Sequence, residues 1–349
     1  MMVKVKKEGV ILRKTDLGFE NESVLNPAVI VDNGTIHFFY RAVRKGNYSS
    51  VGYCVLDTPL TVGFRLTVPL LYPQFDYEIK GMEDPRIVKI DNIFYLTYTA
   101  FDGPNALGAL ATSSDLKHFQ KIGIICPQIK YDQFIRLAEV NMPLNEKYKR
   151  YSRGGDLLAD KDVIFFPRRI NKKLYFLHRI KPDIQIVGVE RIEDLTTDFW
   201  EEYFLHLNEH LALTPKYEHE ISYIGGGCPP LETEDGWLII YHAVRDTING
   251  FEYSACAALL DLDDPAKEIA RLPYPLFKPD KDYEIIGEVG NVCFPTGILL
   301  KEGIIYIYYG AADSVIACAS LVLSDLLNEL LENTAALSEK SNKRIKKAN

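Results

Sequence analysis

Carboxylates and guanidiniums stand beside apolar runs at several places in this chain: Asn26 with Arg41, Glu83-Asp84-Pro85-Arg86, Lys161-Asp162, Gly225-Gly-Gly with His242, and Ala312-Asp313. Charged groups so placed need a partner or a ligand, because an unpaired buried charge is costly. Asp84, Arg86, Arg41 and Asp313 can simply pair with one another. If they converge on one cavity, the chemistry is sugar recognition, since vicinal hydroxyls exchange paired hydrogen bonds with such groups. A carboxyl there can also move a proton to or from the bond being broken. The aromatic strand ends Tyr40, Tyr98, Tyr241, Tyr308 and Tyr309 are either apolar walls for sugar rings or core.

Convergence requires elements that bring distant sequence together, and a repeat supplies them. Five times a Pro-containing turn leads into an apolar run, a Gly/Asn/Asp turn and a second run ending in aromatics. The copies begin at Asn26-Pro, Asp84-Pro, Phe166-Pro, Pro229-Pro and Phe294-Pro. Aromatic and β-branched residues in the second run suit a pleated, half-buried surface, so each copy opens as a hairpin. A third run rich in small residues follows, as in Tyr253-Ser-Ala-Cys-Ala-Ala. Recurrence of one supersecondary unit at roughly 60-residue spacing marks a repeat architecture. The expected fold is all-β, a five-bladed β-propeller with a short C-terminal helix. Residues 1–323 form the propeller as one domain, with 126–161 as an inserted loop or short helix. Residues 324–349 form the helix and a basic tail.

The bulk numbers narrow the partners. A net charge of −8 gives no basic footprint for nucleic acid or an anionic membrane. Six scattered cysteines without a C-x-x-C pair read as buried free thiols. No apolar stretch approaches the ~18 residues of a membrane span, and the start has charge without a hydrophobic leader core. The expected location is cytoplasmic. No metal or cofactor is implied, and oligomeric state stays open, a homo-oligomer included.

Several segments together resemble glycoside hydrolase family 130. They are Gly81-Met-Glu-Asp-Pro-Arg-Ile, Tyr98-Thr-Ala-Phe, Lys161-Asp-Val-Ile-Phe-Phe-Pro, Leu177-His-Arg, Ile224-Gly-Gly-Gly-Cys-Pro-Pro, Tyr241-His-Ala-Val and Phe294-Pro-Thr-Gly…Tyr309-Gly-Ala-Ala-Asp. The resemblance runs from about residue 24 to 320 and implies five-bladed propellers that cleave β-mannosidic bonds at the non-reducing end with inversion. It makes Asp84 the general acid and places Asn26, Arg41, Arg86 and Asp313 around the mannose ring. As an acid, Asp84 must stay protonated near neutral pH, which burial favours and Arg86 opposes. Inversion needs a single displacement and no covalent intermediate.

The nucleophile is the open question. Phosphate, as a co-substrate, gives mannose 1-phosphate, and Arg179 and His242 are placed to bind it. Water needs a base, for which Glu218 and Glu220 are candidates. Where the phosphorylases carry an Arg after Tyr-Thr-Ala-Phe, this chain has Asp102-Gly-Pro-Asn105. Arg168, Arg169 or an arginine of the 126–161 insertion could replace that charge. The expected activity is phosphorolysis of a β-linked manno-oligosaccharide or mannosyl glycoside, with an inverting β-1,2-mannosidase as the alternative. A non-catalytic sugar-binding propeller is a third reading.

Overall fold

The computed structural model describes residues 2–151, 157–248 and 250–334. The chain is all-β with few helices. Ser23–Asp32, Thr35–Arg44, Tyr48–Thr58 and Thr61–Arg65 form a first antiparallel set, and Gly81–Ile90, Ile93–Phe101, Ala106–Ser113 and Gln120–Ile124 a second. A single parallel bridge, Ser49 to Gly81, joins the two into one sheet. Lys161–Phe165, Leu174–Arg179, Ile184–Val189 and Leu211–Leu213 make the third set. In the fourth, Tyr223–Gly226 and Leu231–Thr233 share the partner Gly236–Thr247, followed by Gly250–Leu260 and Glu268–Arg271. In the fifth, Cys293–Lys301, Ile304–Ala311 and Val315–Val322 are completed by Lys6–Leu12 from the other end of the chain. The opening strands of the first three sets each lie against the opening strand of the next, and Cys293–Lys301 lies against Gly236–Thr247 and Gly250–Leu260 of the fourth set and against Ser23–Asp32.

The first three sets share an irregularity in their opening strand. Register steps from Leu25↔Arg41 to Ala28↔Phe39, so Asn26 and Pro27 together face Tyr40. Asp84-Pro85 against Tyr98 and Asp162-Val163 against His178 repeat it. Asn26, Asp84 and Asp162 have φ of 49°, 51° and 55°. Asn and Asp enter this left-handed region more readily than other side-chain-bearing residues, and a bulge of this kind re-aims a side chain. Proline after Asn26 and Asp84 suits the break, because it has no N–H to leave unpaired in the ladder.

A second device recurs beside it. The Tyr40 hydroxyl donates to Glu20 at 2.8 Å, and Arg65 of the outermost strand pairs with Glu20 at 2.7 Å. Tyr98, Glu78 and Lys121 repeat the arrangement, as do Tyr241, Glu220 and Arg271, and Tyr309, Glu284 and Lys7. Each carboxylate is fully buried. In the third set His178 takes the tyrosine's place, held by Asp160 at 2.7 Å and the Tyr203 hydroxyl at 2.9 Å. A buried ion pair contributes little net stability but fixes which groups must meet. In the first, second, fourth and fifth sets these clasps therefore pin the outer strand to the turn before the first strand, and in the third they pin the helix Thr197–Leu205 instead. Tyr40, Tyr98, Tyr241, Tyr308 and Tyr309 are all buried, so of the two readings open in sequence the core one holds.

The 126–161 insertion carries short helices at Tyr131–Ala138 and Glu146–Lys149. Phe134 packs edge-on against Phe204 of helix Thr197–Leu205. The Tyr148 hydroxyl donates to Asp183 at 2.5 Å, Tyr151 to the Ser222 carbonyl at 3.0 Å, and Lys147 to that of Ile221 at 2.7 Å. Residues 323–334 are helical, with Leu326 and Leu330 buried against the fourth and fifth sets. The basic tail expected at the C-terminus lies outside the described residues. All six cysteines are free and buried.

Candidate active site

A cavity of about 860 Å³ gathers Asn26, Arg41, Glu83, Asp84, Lys161, Asp162, Arg179 and Asp313 from four of the five sets. Asn26 Nδ2 donates to Asp84 Oδ1 at 2.7 Å. Arg41 bridges two carboxylates, with Nη2 at 2.7 Å from Glu83 and Nη1 at 3.4 Å from Asp84. Lys161 Nζ lies 3.4 Å from the other Glu83 oxygen. Gly310 leaves room for Asn26, since a Cβ there would stand 1.9 Å from Oδ1. Burial alone would raise the Asp84 carboxyl, but Arg41, Lys161 and Arg86 and the Asn26 hydrogen bond bring it down to about 2. Asp313 goes the other way, pushed up to about 6 by burial against the pull of Arg41. Two carboxyls in one cavity are thus set far apart. In the free protein the balance that sequence left open, burial against neighbouring cations, falls on the side of the Asp84 carboxylate.

A second network lies beside the first. Arg179 Nη1 donates to His242 Nε2 at 3.0 Å and lies 3.1 Å from Asp162 Oδ2. Burial, with the charges of Arg179 and Arg86, holds His242 well below the usual histidine range. The ring is therefore neutral: Nδ1–H donates to the Gly226 carbonyl at 3.2 Å, and Nε2 accepts from Arg179. Gly225 permits this stack, because a Cβ would come within 2.4 Å of the imidazole.

Of the residues nominated from sequence, Asn26, Arg41, Asp84, Asp313 and Arg179 line the cavity. Arg86 lies beneath it, 2 % exposed, with Nε donating to the Gly227 carbonyl at 2.6 Å and Nη1 to that of Asp84 at 2.6 Å. It positions the bulge rather than holding a ring. His242 is fully buried behind Arg179, so direct contact with phosphate is corrected to support of the arginine. Glu220 belongs to the Tyr241–Arg271 clasp, and Glu218 lines a different cavity with Arg245 and Glu252. Neither reaches the site as a base. Arg168 is bound to Glu232 and Arg169 to Asp91, both elsewhere. Arg150 of the insertion does line the cavity, joined by Lys181, Tyr223 and Tyr253, to which sequence reasoning assigned no part. Lys181 Nζ stands 3.8 Å from the Tyr223 ring centroid, a cation–π contact. Sequence placed Asp162 among the residues to inspect and gave it no role; its shared bulge with Asn26 and Asp84 was the available signal.

The fold and this cavity define a carbohydrate-active enzyme. The chain belongs to glycoside hydrolase family 130, whose model, described as β-1,4-mannooligosaccharide phosphorylase, matches residues 11–332. It is 34% identical over 340 residues to a 1,2-β-oligomannan phosphorylase of Thermoanaerobacter sp. (strain X514), covering 93% of this chain and 99% of that protein. A β-1,2-mannobiose phosphorylase of the same organism is 34% identical over 318 residues, covering 86% and 90%. Among solved structures, a β-1,2-mannobiose phosphorylase from Listeria innocua in complex with β-1,2-mannobiose superposes with a TM-score of 0.71. It has 22% identity and covers 94% of this chain and 99% of that one.

Proposed function

We propose that this chain phosphorolyses β-1,2-linked mannosides from the non-reducing end with inversion, releasing mannose 1-phosphate. The observation that carries the reading is the pairing, in one cavity, of a carboxylate–amide–guanidinium network with a second group of cations, Arg179, Lys181 and Arg150. Near-full-length similarity to a 1,2-β-oligomannan phosphorylase supports the linkage. In the same proposal the five strand sets are blades of a propeller, residues 1–323 form one catalytic unit, and the setting is cytoplasmic, where phosphate is in supply.

Asn26, Arg41 and Asp313 bind the mannose ring beside the cleaved bond, and Asp84 is the acid. In the free protein Asp84 is held ionised, so sugar hydroxyls that compete for Arg41 and Asn26 must first relax that hold and let a proton on. Arg179, Lys181 and Arg150 collect the phosphate charge, the fork of Arg179 matching two phosphate oxygens. A phosphate oxygen attacks C1 from the face opposite the leaving oxygen, the C1–O bond breaks, and the leaving oxygen takes the proton. Hydrolysis is less supported, because Glu218 and Glu220 are both remote from the cavity.

The test is to incubate β-1,2- and β-1,4-mannobiose with and without inorganic phosphate and follow mannose 1-phosphate. Phosphate-dependent release from the β-1,2 substrate is expected. Free mannose at equal rates in both buffers would end the proposal. Asp84→Asn should bind mannoside and lose turnover on the order of 10³-fold.

A further inference from the structure

Asp162 touches both guanidinium systems and has no part in the reaction as written above. Its side chain is fully buried, yet it belongs to the cavity wall. Oδ2 lies 3.1 Å from Arg179 Nη1 and 4.0 Å from His242 Nε2, and Oδ1 lies 3.9 Å from Arg86 Nη2. Its backbone is fixed at φ 55° by the bulge opposite His178, which Asp160 and Tyr203 clamp from both ring nitrogens. Arg86 and Arg179 are like charges in a poorly hydrated place, and Asp162 is the carboxylate within 4 Å of both. These contacts are ionic rather than directed: neither Asp162 oxygen accepts an aligned hydrogen bond, and Arg179 Nε and Arg86 Nη2 have no acceptor among the described residues. Arg179 is therefore hydrogen-bonded and ion-paired through Nη1, by His242 and Asp162, with its guanidinium over the Tyr223 ring at 5.5 Å and Nε uncommitted among the described residues.

We infer that Asp162 is a positioning residue for the attacking phosphate, acting through Arg179 by fixing which edge of its guanidinium meets the oxyanion. The inference rests on the phosphorolysis reading for the identity of that oxyanion. Asp162 exchanges no proton and forms no bond in this role. Burial works against the Arg179 charge, and Asp162 is the foremost of the groups that raise its proton affinity in compensation.

A carboxylate that orders a cation but also repels the incoming anion leaves a kinetic signature. In Asp162→Asn the shape is kept and the charge removed, so the arginine loses its orientation while phosphate loses a repulsive neighbour. Misplacement by about 1 Å costs on the order of 100-fold, and this should fall on kcat. Phosphate KM should stay within about threefold of the parent, because binding before the transition state is not what is lost.

The deciding experiment is a double-mutant cycle on the full chain, with Asp162→Asn, Arg179→Lys and the double variant assayed for phosphorolysis of β-1,2-mannobiose. If Asp162 acts through Arg179, the double variant should be within about tenfold of the worse single one. Losses that multiply to about 10⁴-fold would overturn the inference, as would parental kcat in Asp162→Asn or a loss carried by phosphate KM. If Asp162→Asn melts below the assay temperature, Asp162→Ser, which leaves space for water between the two guanidiniums, is read by the same criteria. The parent separates the two ideas: no phosphate-dependent mannose 1-phosphate from it refutes phosphorolysis, whereas parental turnover beside an unaffected Asp162→Asn refutes only the role of Asp162.

Discussion

Glu220→Gln should unfold this protein more easily without disabling the molecules that remain folded. Glu220 takes the Tyr241 hydroxyl on Oε1 and the backbone N–H groups of Lys216 and Tyr217 on Oε2, at 2.6 and 3.0 Å. Arg271, 1% exposed, pairs with it at 3.3 Å. Removing one partner of such a buried pair costs about 3–5 kcal/mol, because the remaining charge stays buried. Arg271 keeps Glu268 as a second partner, and glutamine can still accept one hydrogen bond, so the loss should fall near 3 kcal/mol. For a chain of this size that is a fall in Tm of about 4 °C. The assay is differential scanning calorimetry beside kcat measured well below the transition. A variant with the parental Tm and activity reduced by about 100-fold or more would refute the reasoning and return Glu220 to catalysis. Glu218→Gln, at the other cavity, should match the parent in both measurements.

Three further outcomes follow from the same geometry. Arg150→Ala should raise phosphate KM by roughly tenfold, whereas Arg168→Ala and Arg169→Ala should leave it unchanged; initial rates against phosphate concentration check this. Asp313 is raised to about 6 from 3.8, so the folded state holds its proton more tightly than the unfolded one, and the contribution is full below 3.8 and lost as pH rises through about 6. Asp313→Asn should therefore flatten the fall in Tm between about pH 4 and 6, and an identical pH profile in both proteins would contradict it. Tyr148→Phe removes the 2.5 Å bond to Asp183 that ties down the insertion. It should cost about 1–2 kcal/mol in urea unfolding and raise phosphate KM through Arg150.

The repeat and the Asn26–Asp84 side of the cavity were legible because both depend on short-range pattern. Asn-Pro and Asp-Pro mark the bulges directly, so Asn26 and Asp84 could be placed from neighbouring residues. The part that Lys181 and Arg150 bring to the cavity was not, because its members come from different elements. Lys181 follows a strand end, and Arg150 sits in an insertion whose docking depends on Tyr148 meeting Asp183, 35 residues away. Glu220 misled for the same reason. Proximity to the glycine run suggested the site, but its partner Arg271 lies 51 residues on, and only the matching clasps at Glu20, Glu78 and Glu284 reveal the role. Burial also reversed expectations: His242 reads as a phosphate ligand in sequence and sits buried behind Arg179 in space.

Lys6 pairs with Ser320, and Lys7 clasps Glu284. During synthesis, the strand Lys6–Leu12 therefore emerges before its partner and waits until Val315–Val322, on the far side of all the other strands described, has followed. Loop closure over such a distance adds little to the equilibrium cost, which grows only with the logarithm of length. The delay is kinetic, since contacts of high sequence separation are slow to form. Meanwhile the nascent chain carries one unpaired edge, and a second appears when Val315–Val322 leaves the ribosome. Removing either Lys6–Leu12 or Val315–Val322 should thus injure the same sheet, and a ribosome stalled before residue 315 should hold four finished strand sets and one that no amount of waiting can complete.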